Sequence, residues 1–125
     1  MVILGLGSNL GDRQKFLTQA IEQLRRQNIL KNIRVSSVYE SDALLPPNAP
    51  ADWNLPFLNL AVCGETALSP QALLRALKAI EHALGRKPTD LWAPRPIDLD
   101  ILAWGQHTIQ EETLTIPHVG LLQRP

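Results

Sequence analysis

The sequence predicts an α+β fold, an antiparallel sheet carrying two helices on one face. Three observations support this. Two stripes of apolar residues recur at helical spacing, runs of strand-forming residues lie around them, and glycine- or proline-rich stretches separate the runs. The resulting order is strand, helix, strand, strand, helix, strand, which fits the ferredoxin-like split β-α-β plan.

Residues 1–6 (M-V-I-L-G-L) form a short apolar run, expected as a central strand buried on both faces. Gly7-Ser8-Asn9-Leu10-Gly11 then makes a polar turn. Asp12 is placed to start a helix, because an acidic group there meets exposed N–H groups and the positive end of the dipole. Phe16, Leu17, Ala20, Ile21 and Leu24 form its apolar stripe. Gly5, Gly7 and Gly11 resemble a dinucleotide-binding turn, but the last gap is three residues rather than two and G-x-G-x-x-G is not met. A tight strand-to-helix turn remains, with Ser8 and Asn9 as candidates to serve a site.

Residues 29–40 carry Ile33, Val35 and Val38 among polar residues, a second strand with an irregularity near Ser36 and Ser37. Residues 41–56 hold Pro46, Pro47, Pro50 and Pro56 without periodicity and form a long loop, a frequent place for functional lids. Trp53 in that loop either caps a ligand or pins the loop to the core, with pinning favoured. Residues 57–66 (F-L-N-L-A-V-C-G-E-T) read as the third strand, with Cys63 in the core. Asn59 interrupts its apolar run, and a buried amide without partners is costly, so it is expected to bond either neighbouring backbone or a ligand.

Ser69-Pro70 reads as an N-cap with proline in the first helical position. Leu73, Leu74, Leu77, Ile80 and Leu84 form the second stripe, and Gly85 ends it. A second loop over residues 86–96 carries Arg86, Lys87 and Arg95. The last strand follows, in the block W-A-P-R-P-I-D-L-D-I-L-A-W at residues 92–104.

That block carries the chemistry. Ile97, Leu99 and Ile101 alternate with Asp98 and Asp100, so the two carboxylates share one strand face at about 7 Å between Cα atoms. Side by side they repel unless a cation lies between them, and Mg²⁺ suits a pair of carboxylates completed by water and substrate phosphate. Arg95, between Pro94 and Pro96, brings a partly preorganised fork suited to phosphate oxygens. A D-x-D pair alone is most often a solvated face. Arg95, Trp92 and the prolines beside it favour a site.

Composition narrows the function classes. Across 125 residues, 12 basic side chains balance 12 acidic ones, which argues against a general nucleic-acid surface and makes any phosphate binding local. The length is that of one domain. Cys63 is the sole cysteine, so no intrachain disulfide forms and a reducing compartment fits. The apolar run at residues 2–6 is too short for a signal core or a membrane span. A soluble, cytoplasmic protein without membrane partners is expected.

Four segments together resemble the 6-hydroxymethyl-7,8-dihydropterin pyrophosphokinase family of folate biosynthesis. They are Gly7-Ser8-Asn9-Leu10-Gly11, Phe57-Leu58-Asn59, the run Trp92-x-Pro94-Arg95-x-x-Asp98-Leu99-Asp100-Ile101, and Ile116-Pro117-His118. The family moves a pyrophosphoryl group from ATP to a pterin alcohol. The resemblance implies that Asp98 and Asp100 bind two Mg²⁺ ions, that Arg86 and Arg95 bind phosphates, and that Trp92 closes over the site on a mobile loop. It places Glu81, Ile101, His118 and Arg124 at the nucleotide. It has Asn59 hydrogen-bond the pterin, Phe57 stack on it, and the loop that begins at Ser41 and Leu44 add further ring contacts.

The sequence also departs from the family. Lys87 or Pro88 stands near the place of a second loop arginine, and Val119 follows His118 where an aromatic can occur. A single pyrophosphokinase domain over residues 1–125 is expected, lacking the family's C-terminal segment and the second stacking aromatic that segment supplies. Fusion to another folate enzyme, such as dihydropteroate synthase, stays open. Rival classes are a ferredoxin-like ligand-sensing module, which leaves the grouping of Arg95, Asp98 and Asp100 unexplained, and an RNA-binding domain. The latter needs exposed aromatics and a basic field, whereas this chain has 5% aromatics and no net charge.

Overall fold

The computed structural model describes residues 1–43, 45–86, 93–105, 109–110 and 115–116. Its elements are β1 (Val2–Ser8), α1 (Arg13–Arg26), β2 (Lys31–Val35), β3 (Tyr39–Ser41), β4 (Phe57–Glu65), α2 (Pro70–Ala83), β5 (Asp98–Trp104), β6 (Ile109–Gln110) and β7 (Thr115–Ile116). The principal sheet has the order β2-β4-β1-β5, with β3 also on β4. All pairings among the described residues are antiparallel. This is the α+β, ferredoxin-like arrangement that the element order predicts, with β2 and β3 sharing the place of one edge strand.

Both helices begin where the sequence signals them. Asp12 caps α1 by accepting from the Lys15 N–H at 3.2 Å, and Ser69 caps α2 by accepting from the Ala72 N–H at 3.2 Å. Gly85 follows α2 at φ +103°, a left-handed conformation that glycine adopts without Cβ strain.

Among the described residues one cluster forms the core. Leu17, Ala20 and Leu24 of α1 and Leu73, Leu77 and Ile80 of α2 pack on Val2, Leu4, Leu6, Leu60, Val62, Leu99 and Ile101 of the sheet. Each large side chain buried there contributes about 1.5–3 kcal/mol. Leu77→Ala is therefore expected to destabilise the fold by about 2–5 kcal/mol and to lower Tm by roughly 10 °C or more. Thermal unfolding checks this against Arg75→Ala, on the exposed side of α2, which should leave Tm nearly unchanged.

The opposite sheet face carries neither helix, and this corrects two expectations. β1 is central but not buried on both faces: Ile3 is 36% exposed, while Val2, Leu4 and Leu6 face the helices. Cys63 is paired opposite Ile3 and shares its face, so it is half-buried and outside the core. Apolar identity does not tell a strand residue which of the two faces receives the helices.

The irregularity near Ser36 has a definite cause. The Ser36 N–H donates to Ala61 O, and its Oγ accepts from the Ala61 N–H, both at 2.8 Å. A side chain thus replaces a ladder carbonyl, and the edge strand divides. In the long loop, Ala51–Trp53 makes one 3₁₀ turn, and Trp53 is half-buried without joining the core. The loop is tethered by polar contacts at its end: the Asn9 side chain donates to Leu55 O at 3.1 Å and Arg13 to Pro56 O at 3.0 Å. Among the described residues no helix is long and apolar enough to cross a membrane.

Candidate active site

Pairing in the sheet assembles the site. Gly7 of β1 is paired with Asn59 of β4 on one side and with Asp98 of β5 on the other. The next row on the same face is Ala61, Gly5 and Asp100. Leu99 and Ile101 point to the helices, so Asp98 and Asp100 lie on the open face, as their alternation predicts. An amide and a carboxylate thus flank a glycine floor across two strand spacings, about 10 Å.

Because the floor is glycine, neighbouring side chains can close in over it, Leu102 over Gly5 and those of the β4 wall over Gly7. A Cβ at Gly7 would lie 3.1 Å from Asn59 Oδ1 and 3.3 Å from Phe57 Cδ1. The Phe57 ring and the Asn59 carbonyl therefore form one wall of a trough. Asn59 is buried, and its Nδ2 donates to Ser41 Oγ at 2.8 Å, with longer contacts to Phe57 O and Tyr39 O. The NH₂ end is occupied by its own edge of the sheet, while Oδ1 turns toward Gly7.

The other wall is charged. Arg86 Nη1 donates to Glu81 Oε2 at 2.7 Å and to Asp98 Oδ1 at 3.1 Å. Arg95 Nη1 lies 3.9 Å from the same Asp98 oxygen, and Arg95 Nε donates to Ala93 O at 3.2 Å. Arg95 is only 8% exposed. Burial pushes its pKa down, Asp98 opposes that shift, Arg86 adds to it, and Asp100 and Glu81 oppose it again. Arginine starts so high that the group stays cationic.

Glu81 ties this wall to the fold. It is 2% exposed on α2, and Oε2 also accepts from the Leu99 N–H at 2.7 Å, while Oε1 lies 3.3 Å from Lys78 Nζ. A carboxylate buried this deeply is tolerated because charged and main-chain donors surround it. The helix is thus strapped to β5 between the two aspartates. The sequence carries a signal for this strap: Glu81 falls at helical spacing between Leu77 and Leu84, a charge on the apolar stripe.

The structure brings together Glu81, Arg86, Arg95, Asp98 and Asp100 on one side and Ser41, Phe57 and Asn59 on the other. The Ile101 side chain is 3% exposed and belongs to the core. Leu44, Trp92, His118 and Arg124 lie outside the described residues, as do Lys87, Pro88 and Val119 and most of the loop expected to move. Gly7 and Glu81 are the parts whose geometry sequence reasoning missed. Two hard carboxylate ligands on one strand face suit Mg²⁺, which takes its remaining ligands from water and phosphate. Among the described residues no group of three or more His, Cys, Asp or Glu could enclose a metal by itself. The donor set fits a metal shared with a phosphate ligand.

Residues 3–125 match the model of the family described as 7,8-dihydro-6-hydroxymethylpterin-pyrophosphokinase. The chain is 42% identical over 126 residues to the folate synthesis bifunctional protein of Chlamydia muridarum, covering 99% of this chain and 28% of that relative. It is 39% identical over 127 residues to the 2-amino-4-hydroxy-6-hydroxymethyldihydropteridine pyrophosphokinase of Aquifex aeolicus, covering 98% and 72%. The Bacillus subtilis protein of that name is 40% identical over 121 residues, covering 97% and 70%. The chain thus spans well under a third of the bifunctional Chlamydia relative and most of the length of the two single-function ones.

Proposed function

Because the chain belongs to the 7,8-dihydro-6-hydroxymethylpterin-pyrophosphokinase family, we propose that it transfers the pyrophosphoryl group of ATP to the hydroxymethyl group of a 7,8-dihydropterin, releasing AMP. This is a step of folate biosynthesis and would take place in the cytoplasm. The observation that carries the reading is the row Asn59, Gly7, Asp98, which sets an amide and aromatic wall opposite a carboxylate and guanidinium wall over a glycine floor.

A pterin is flat and has amide-like edges. Phe57 would cover one face of the ring and Asn59 Oδ1 would accept from a ring N–H, while Ser41 fixes the asparagine. Leu44, outside the described residues, would add to the same wall. The ring then lies over Gly7 with its hydroxymethyl group directed toward Asp98. The pterin hydroxyl oxygen would attack the β-phosphorus of ATP and give up its proton to water, the bond from that phosphorus to the oxygen bridging to the α-phosphate would break, and AMP would leave with that oxygen.

Such transfers ask the protein mainly for positioning and charge stabilisation. Arg86 and Arg95 would hold phosphate oxygens with fixed N–H donors in a site that excludes much of the water. Asp98 and Asp100 would hold two Mg²⁺ ions, which when bound neutralise phosphate charge and polarise the reacting oxygens. Glu81 acts on the nucleotide side through Arg86, and Ile101 through its main chain. Trp92, His118 and Arg124, outside the described residues, would contact the nucleotide.

AMP release from ATP, measured with and without 6-hydroxymethyl-7,8-dihydropterin, tests the reading. AMP formed only with the pterin, mole for mole with its pyrophosphate ester, is the expected result. Binding of both ligands without AMP would favour a ligand-sensing module instead. A separate test addresses the floor. Gly7→Val puts methyl groups against Phe57 and Asn59, and is expected to weaken pterin binding by at least about tenfold, the cost of displacing one wall contact or hydrogen bond. Titration calorimetry should show ATP affinity nearly unchanged. An unaltered pterin affinity would place the ring elsewhere.

A further inference from the structure

We propose that Asn9 is a positioning residue that sets both walls of the trough at once, holding the main chain of Arg95 on the phosphate side and that of Leu55 on the pterin side. The inference rests on the pyrophosphoryl-transfer reading and concerns a residue to which that reading gives no role. Asn9 follows directly on β1 and is 4% exposed. Its main-chain N–H donates to Arg95 O at 3.2 Å, and its Oδ1 accepts from the Arg95 N–H at 2.9 Å. Its Nδ2 donates to Leu55 O at 3.1 Å.

The sequence makes this clasp hard to replace. Pro94 and Pro96 have no N–H, so the Arg95 N–H is the only main-chain donor in that tripeptide, and Asn9 takes it. Two hydrogen bonds to one residue fix its main chain in both direction and rotation. The Arg95 side chain is then aimed from its backbone outward, with Nε already held by Ala93 O. Leu55 lies two positions before Phe57, so the same side chain sets where the aromatic wall enters the sheet. The group needed at this place accepts on one side and donates on the other. The asparagine amide does both, whereas an ionised aspartate only accepts.

The test compares the full chain with Asn9→Ala and Asn9→Asp, each alone and combined with Arg95→Ala. AMP formation by the unaltered chain is the control for the underlying reading: if it forms none, that reading fails, while exchange of the Arg95 amide still tests the clasp. Asn9→Ala is expected to speed that exchange at least about tenfold and to lower kcat about tenfold, the loss of a main-chain hydrogen bond and of preorganised aim. In the Arg95→Ala background the same change should cost less than about twofold in kcat, since residues acting as one unit are not additive. Asn9→Asp keeps the acceptor for Arg95 and loses the donor to Leu55. It should leave the Arg95 amide protected and raise the pterin KM about tenfold, with a smaller effect on kcat. Losses of kcat that multiply independently of Arg95, an Arg95 amide unchanged in Asn9→Ala, or an unchanged pterin KM in Asn9→Asp would each overturn the proposal. Should Asn9→Ala fail to fold, the Asn9→Asp arm decides it alone.

Discussion

Asp98→Asn is expected to lower kcat by at least about a thousandfold, which corresponds to about 4 kcal/mol of transition-state stabilisation. The amide has the same shape, so the trough keeps its form, but one of the two carboxylates proposed to hold Mg²⁺ is lost. The apparent Mg²⁺ requirement should rise with the loss of turnover. A second effect accompanies it. Asp98 Oδ1 also faces Arg86 and Arg95, at 3.1 and 3.9 Å, and without it the buried Arg95 loses a counter-charge. Tm should therefore fall by several degrees, and activity should be measured well below the new Tm. Asp100→Asn should show a comparable loss of kcat. Turnover above about a tenth of normal in both variants would remove the carboxylates from the proposed chemistry.

Arg95→Ala is expected to lower kcat by about a hundredfold to a thousandfold, the usual cost of removing one preorganised donor to developing charge, with a smaller change in the KM for ATP. Burial lowers the Arg95 pKa, so the folded state disfavours the cation relative to the unfolded chain. A group of this kind opposes folding at every pH below its folded pKa, which covers the whole ordinary range and leaves no titration near neutrality. Removing it relieves that cost but also deletes a buried side chain and its hydrogen bond to Ala93 O, so the two effects oppose each other and Tm should change by only a few degrees. Arg95→Lys keeps the charge without the planar fork and should recover only part of the rate. Paired measurements of kcat, KM and Tm decide the matter. A raised KM for ATP with normal kcat would mean that Arg95 only binds nucleotide.

By itself the sequence determined the elements whose cause is local. Helical spacing, the Asp12 and Ser69 caps and the stop at Gly85 depend on neighbours within a few residues; both helices begin at these signals, and α2 ends at one. The shared face of Asp98 and Asp100 was equally legible, because a strand alternates whatever it pairs with. The proposed substrates rest on family membership, which no local rule contains. The tertiary structure alone decided which face of each strand the helices cover, and so sent Ile3 and Cys63 to the open side. It also decided that Gly7 lies between Asn59 and Asp98, and that Glu81 reaches the Leu99 N–H. These are contacts between residues far apart in the chain. Their register is chosen by the fit of the whole core, because shifting a strand by one residue would exchange its buried face for its exposed one.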